Sequence, residues 1–142
     1  GQRLPWEMGE DPTTGIRAVL EDDTPFEGHP RSKMKVFLPD KCKVDDRSIG
    51  TRGRILGPQG STLQAMVAAS KCGIQLQGRG SVNFRDGSTD RDHLSQPAYS
   101  HLAEGLHLCV RYVGDPSGRD RAFSTVFGLV EYVMRHGQMP EG

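Results

Sequence analysis

The loop Gly57-Pro58-Gln59-Gly60 has a glycine spacing that could receive a phosphodiester backbone. Because Gly57 and Gly60 have no side chains, main-chain N–H groups there could approach phosphates closely. A helix beginning after Gly60 would add the positive end of its dipole. Such a glycine pair is common by chance and usually marks only a turn, so its meaning depends on the elements around it.

The surrounding residues exclude several other chemistries. A P-loop would need a lysine after Gly60, where Ser61-Thr62 stands, and a dinucleotide fingerprint would need a preceding strand and a later acid. Cys109 and His107 could form a nucleophile and base, but their strand pattern predicts a buried face. The histidines and aspartates lack zinc-finger spacing. We therefore expect no enzyme activity, no cofactor and no metal site.

Charge is unevenly distributed along the chain of 142 residues, although its formal net charge is zero. Residues 31–91 carry twelve Lys or Arg against five Asp, whereas acids are in excess on both sides of this segment. Nucleic-acid binding requires cations that neutralise phosphates. The middle of the chain is the part whose charge suits such a ligand.

The cysteines and the hydropathy of the chain indicate the cellular compartment in which we expect the protein. Cys42, Cys72 and Cys109 are odd in number and lack CxxC spacing, which is typical of a reducing environment. No apolar run approaches the roughly 20 residues that span a bilayer. We expect a soluble intracellular protein, nuclear or cytoplasmic, without membrane contact.

Hydrophobic periodicity predicts six elements. Residues 34–38, 74–77 and 106–113 have strand patterns, and the segment 44–56 contains a short helix. A second helix should run from Gly60 or Ser61 to a left-handed stop at Gly73, and a long amphipathic helix should end near Gly137. The order β-α-α-β-β-α predicts an α+β fold, in which a three-stranded antiparallel sheet packs on three helices.

The organisation of the chain follows from composition. Residues 1–32 form an acidic, proline-rich flank that we expect to be an unstructured tail, although Trp6 could dock on the domain or on a partner. Residues 33–137 form the domain, which includes a long variable loop at about 81–104. Residues 138–142 form a C-terminal tail.

Several ordered motifs resemble the STAR-family (maxi-KH) domains of Quaking, GLD, Sam68 and branchpoint-binding proteins. The resemblance covers roughly residues 33–136. It lies in the glycine-rich segment 53–60, the strand 35–39, the strand and basic exit 72–81, the dipeptide Arg85-Asp86, and the segment 101–108.

This resemblance implies a type I KH fold that binds single-stranded RNA, with a GXXG loop and an apolar groove beside it. Arg54, Arg79 and Arg85 would meet phosphates or base edges. The apolar floor would be Ile55, Leu56, Leu63, Ile74 and Leu76, with core packing as an alternative for Ile55, Leu63 and Ile74. The remaining implied RNA-binding residues are Gly53, Gly57, Pro58, Gln59, Gly60, Gln75, Gly78 and Gly80.

Three departures from the family pattern affect these expectations. Ile49-Gly50-Thr51-Arg52 stands where the family usually has Phe-Asn-Phe-Val, so base preference should differ. Gln59 replaces a loop cation, and no Qua1-type dimerisation segment is seen in residues 1–32. An alternative function is a KH-like protein-interaction module that uses the N-terminal flank or the long C-terminal helix.

Overall fold

The computed structural model describes residues 3–26, 29–44, 47–82 and 84–141. The strands are β1 (Arg17–Phe26), β2 (His29–Phe37), β3 (Lys41–Val44), β4 (Arg47–Gly50), β5 (Gly73–Gln77) and β6 (His107–Val113). The helices are α1 (Thr51–Leu56), α2 (Ser61–Ser70), α3 (Asp90–His93) and α4 (Pro116–His136), with short 3-10 turns at Pro5–Glu7, Pro58–Gly60 and Pro97–Ala103.

The main sheet is antiparallel and has the order β1-β2-β6-β5. Its inner face carries Met34, Val36, Leu108 and Val110, which are fully buried in a core shared with the helices. We call the opposite side, which carries Lys33, Lys35, Cys109 and Arg111, the outer face. The two faces follow from the period-two alternation of the strands.

The expected α+β class and the order β-α-α-β-β-α are confirmed by β2, α1, α2, β5, β6 and α4. The sheet, however, has four strands rather than three. β1 pairs with β2 over the register Arg17↔Phe37 to Glu21↔Lys33. Ile16 and Ala18 are buried, so this segment gains enough apolar burial to be ordered.

The expectation that the N-terminal flank is an unstructured tail is therefore wrong. Besides β1, the 3-10 turn Pro5–Glu7 brings Trp6 onto α4, where its ring meets Phe123 edge-on at a centroid distance of 6.1 Å. The guanidinium of Arg119 lies 5.8 Å from the Trp6 ring. Trp6 thus docks on the domain itself.

Two helix boundaries differ from their predictions. The segment 44–56 is helical only from Thr51, because β3 and β4 form a small antiparallel hairpin in front of α1. The left-handed residue that ends α2 is Lys71, with φ 60°, whereas Gly73 already belongs to β5. α4 ends at Gly137 as expected, and Asp115 caps its first turn by accepting a hydrogen bond from the Gly118 N–H at 2.9 Å.

His107 and Cys109 are buried as expected, but not in the main core. Both lie on the outer face, because the buried residues Leu108 and Val110 alternate with them. The His107 ring packs against Phe37 at a centroid distance of 5.2 Å. No helix within the described ranges is both long and apolar enough to cross a membrane.

Candidate nucleic-acid interface

The glycine-rich loop joins α1 to α2 through four residues, three of which have a positive φ. Gly57 has φ 71°, Gln59 has φ 56° and Gly60 has φ 76°. The Gly57 N–H donates to the Gly53 carbonyl at 2.9 Å, and the Gly60 N–H donates to the Gly57 carbonyl at 3.1 Å. The loop is therefore a compact turn at the N-terminus of α2, in the position that the sequence predicts.

The two loop glycines differ in their surroundings. A β-carbon on Gly57 would overlap the side chain of Thr62, so Gly57 is needed for packing inside the turn. A β-carbon on Gly60 would meet no atom within 4 Å, and the same holds for Gly53 on α1. Gly53 and Gly60 thus leave an open surface on both sides of the loop, which a ligand backbone could approach.

An apolar strip lies beside this open surface. Leu63, Ile74 and Leu76 are half-buried and pack on the core, and Leu56 is also half-buried next to the loop. Ile55 is different, because its side chain is fully buried in the core. The structure therefore supports the core alternative for Ile55 and leaves Leu56, Leu63, Ile74 and Leu76 as the candidates for the apolar floor.

Arg54 points away from this floor. Its Nε donates to the Met134 carbonyl at 2.9 Å, and its guanidinium lies against Gly137 at the C-terminus of α4. A cation there neutralises the last carbonyls of the helix. The structure gives Arg54 a contact with α4 that its implied role at a phosphate or base edge did not include.

The strand β5 forms one edge of the sheet and pairs with β6. Ile74 and Leu76 lie on its inner face, while Gln75 is exposed on its outer face. Unpaired main-chain groups on an edge strand can hydrogen-bond a ligand. Among the strands that the structure describes, β5 thus has one edge available to a ligand.

The exit of β5 is held by close backbone contacts. Gly78 is buried, and a β-carbon there would overlap the Gly105 carbonyl, so Gly78 is a packing residue rather than a ligand-binding surface. The Arg79 N–H donates to the Glu104 carbonyl at 2.9 Å, and the Gly80 N–H donates to Asp90 at 2.9 Å. These bonds fix the main chain and leave the Arg79 side chain exposed.

A concavity of about 590 Å³ lies at this end of the strip. It is lined by Asp40, Gly50, Arg52, Arg79, Gly80 and Leu106. Arg52 is positioned by its Nε, which donates to the Ser81 carbonyl at 3.1 Å. The hydroxyls of the neighbouring Thr51 and Ser81 are buried and have no partner among the described residues.

Arg52 and Gly50 were missed as candidate residues. They belong to the run that departs from the family pattern, and that departure was the available signal. Gly50 has no side chain at the position where the STAR pattern usually has asparagine, and Arg52 adds a cation beside the concavity. A lone arginine in an expected helix gives no indication that it will meet Arg79 across a cavity.

The side chains of His101 and Glu104 add two further polar contacts that hold the variable loop. His101 Nδ1 accepts a hydrogen bond from the Gly78 N–H at 3.0 Å. Burial, together with the nearby His107, lowers the pKa of His101, which favours the neutral ring that can accept this bond. Lys35 bridges Glu104 at 2.7 Å, and this pairing lowers the pKa of the Glu104 carboxyl.

Arg85 is exposed in this loop, one residue after Phe84. The Phe84 ring stacks on His93 at a centroid distance of 4.1 Å, and Tyr99 meets both rings edge-on. This aromatic cluster gives the polar loop a small core of its own. No group of His, Cys, Asp or Glu within the described ranges is arranged to hold a metal ion.

Comparison with known proteins agrees with this geometry. The chain is 36% identical over 77 residues to the RNA-binding protein asd-2 of Caenorhabditis elegans, covering 54% of this chain and 16% of that protein. It is 40% identical over 58 residues to the KH domain-containing protein At1g09660/At1g09670 of Arabidopsis thaliana, covering 41% of this chain and 19% of that protein.

The matched segments are thus less than a fifth of each of these relatives. A family model for the KHDC4/BBP-like type I KH domain matches residues 45–130, which include the glycine-rich loop, the apolar strip and the start of α4. The chain belongs to the KHDC4/BBP-like type I KH-domain family.

Proposed function

We propose that this chain binds single-stranded RNA through the loop Gly57-Pro58-Gln59-Gly60 and the adjacent apolar strip. One observation carries the proposal: a β-carbon on Gly53 or Gly60 would meet no atom, the half-buried Leu56 and Leu63 flank this turn in the chain, and α2 packs against the strand that carries Ile74 and Leu76. This arrangement offers a place for a phosphate backbone beside a place for bases. One of the relatives is named an RNA-binding protein, which supports the same ligand.

A single strand suits the site better than a duplex. The apolar strip is flanked by an edge strand, whose main-chain groups can reach the Watson–Crick edges of unpaired bases. Bases in a duplex are paired and stacked, and they could not lie on Leu63 and Leu76. We infer a footprint of about four nucleotides, as GXXG loops hold in other KH domains.

The concavity between Arg52 and Arg79 would receive the nucleotide at the far end of this footprint. Both guanidinium groups can bind a phosphate or the acceptor edge of a base. Gly50 leaves room for a larger base than an asparagine side chain would. We propose that base preference at this position differs from that of the STAR domains, which this chain resembles in its other motifs.

The cellular role that we propose is post-transcriptional RNA regulation or splicing, in the nucleus or the cytoplasm. Its support is the resemblance to STAR domains together with the KH family. The competing function is a protein-interaction module built on the N-terminal flank or on the long C-terminal helix. Its flank version is weakened by the packing of Trp6 on Phe123, because that ring is already engaged within the domain.

A pair of variants at Gly60 tests the proposal. Asp and Asn both tolerate the left-handed backbone that Gly60 adopts, and nothing blocks either side chain. Gly60→Asp would place a carboxylate against the RNA backbone, whereas Gly60→Asn has the same shape without charge. We expect Gly60→Asp to abolish binding of short single-stranded RNA at low salt and Gly60→Asn to retain most of it.

Binding would be measured by fluorescence anisotropy with short RNA pools of random sequence, over a series of salt concentrations. Affinity should fall as salt rises, by about 0.7 log units per log unit of salt for each phosphate contacted. Failure of the wild-type protein to bind any composition at low salt would refute RNA binding. Equal binding by the two Gly60 variants would show that the loop is not the site.

A further inference from the structure

The outer face of the sheet carries a second group of cations, on the side opposite the apolar strip. Lys33 of β2 and Arg111 of β6 are direct partners in the antiparallel register, with Arg31 and Lys35 two residues away on the same strand. Residues that are paired in this way project from the same face. The glycine-rich loop and α2 lie on the inner side, so this group is separate from the proposed RNA groove.

The pairing of Lys33 with Arg111 is unfavourable for the isolated domain. Like charges directly opposite each other on neighbouring strands are destabilising. Glu21 pairs with Lys33 at 3.4 Å, but it also pairs with Lys35 at 3.1 Å. Arg111 has no ion-pair partner among the side chains that the structure describes, so the pair has an excess of positive charge.

The cations surround a recess rather than a flat surface. Arg31, Lys33 and Arg111 line a cavity of about 310 Å³ with Glu21, Ser32, Tyr112 and Val113. This is at the lower end of the volume range of small-ligand sites. Among the lining side chains that the structure describes, Lys33 and Arg111 outnumber the carboxylate of Glu21, which suits an anionic ligand, and the size of the recess fits a phosphate with its sugar.

The recess can be reached from the proposed groove around the edge of the sheet. The β5 residue next to Arg111 is Gly73, which is exposed and has no side chain to block the approach. From the edge strand β5 to β2 is two strand spacings, about 10 Å. A chain that leaves the groove over Gly73 would therefore meet Arg111 first and Lys33 next.

We propose that the recess around Lys33 and Arg111 binds the phosphodiester backbone of RNA that extends beyond the segment held in the groove. This inference rests on the proposed function and enlarges its ligand from a short oligonucleotide to a longer single strand. The bound phosphates would sit between Lys33 and Arg111 and relieve their mutual repulsion. Such contacts add affinity without reading bases.

The double variant Lys33→Gln/Arg111→Gln tests the proposal with two RNA lengths. The short RNA has about four nucleotides, the length held by a GXXG groove, and the long RNA is several times longer. We expect the wild-type protein to prefer the long RNA. The variant should bind the short RNA as before, while its salt slope for the long RNA should fall by about 1.4, or 0.7 for each lost phosphate contact.

Arg121→Gln is the matched control for Arg111→Gln, because Arg121 is an exposed arginine of α4 outside both surfaces. It should leave the affinity for both RNA lengths unchanged. Thermal denaturation of each variant would show that the fold is retained, because neither Lys33 nor Arg111 belongs to the buried core.

Three outcomes would overturn the proposal. In the first, the long RNA binds the double variant and the wild type with the same salt slope. In the second, the double variant loses affinity for the short RNA to the same extent as for the long RNA. In the third, titration with poly-glutamate peptide would show binding that depends on Lys33 and Arg111, while RNA binding would not. Absence of all RNA binding by the wild type would instead refute the function on which this proposal rests.

Discussion

Gly57 lies so close to Thr62 that a β-carbon on the glycine would overlap the threonine side chain. Gly57→Ala should therefore destabilise the fold, because it combines a steric overlap with a backbone conformation, φ 71° and ψ 180°, that is favourable only for glycine. We expect a loss of more than about 2 kcal/mol in the free energy of unfolding, measured by urea denaturation.

Gly60→Ala is the comparison for this variant. The space around Gly60 is open, so only the left-handed backbone is penalised, at about 1 kcal/mol. Equal destabilisation by the two alanine variants would contradict the steric argument. The same reasoning makes Gly60, and not Gly57, the position at which a charge can be introduced without disturbing the turn.

Gln59→Lys should strengthen RNA binding. Gln59 is exposed at the tip of the loop, where a cation would meet the phosphates proposed to lie there. Both residues have unbranched side chains, so the left-handed backbone at φ 56° is strained to a similar degree in each. The salt slope for short RNA should become steeper by about 0.7. Gln59→Glu should act in the opposite direction, and unchanged slopes in both would place the RNA backbone elsewhere.

Arg79→Gln and Arg54→Gln should have separable effects. Arg79 is exposed at the Arg52 concavity, so its loss should weaken RNA binding and flatten the salt slope by about 0.7. Arg54 contacts the Met134 carbonyl, so its loss should lower stability by about 1 kcal/mol and leave the salt slope unchanged. A slope change in Arg54→Gln alone would reverse the two assignments.

The strands and helices that bury a regular apolar face could be predicted from sequence. β6 and α4 have unambiguous periodicity, and both occur where expected. β1 was missed because acids and prolines dominate residues 1–30, although Ile16, Ala18 and Leu20 alternate at the start of the strand. Composition over a long window concealed a short pattern that is stabilised by pairing with β2 and by the burial of Ile16 and Ala18.

The loop was predictable and the roles of its neighbours were not. An apolar residue on α1 satisfies the same periodicity whether it faces a groove or the core, and burial assigns Ile55 to the core. Likewise, the sequence shows that Arg54 is a cation but not that the end of α4 lies within its reach. Such assignments depend on contacts between residues far apart in the chain.

The attachment of the variable loop should weaken in acid, because the His101 ring must be neutral to accept the Gly78 N–H bond. Burial and the adjacent His107 lower the pKa of His101, with Glu104 and Asp90 opposing them. The folded protein therefore holds the proton less tightly than the unfolded chain, whose histidine pKa is about 6.5. Stability from this contact is present above that pH and is lost as pH falls towards the lower folded pKa.

His101→Asn separates this titration from those of other groups. An asparagine side chain can offer an acceptor to the Gly78 N–H but does not ionise in this range. Hydrogen exchange at the Gly78 amide should accelerate in the wild type as pH falls below about 6.5, relative to the intrinsic rate, and the variant should lack this step. Identical pH profiles for the two proteins would mean that His101 does not control the loop, and that protonation of other groups governs any opening.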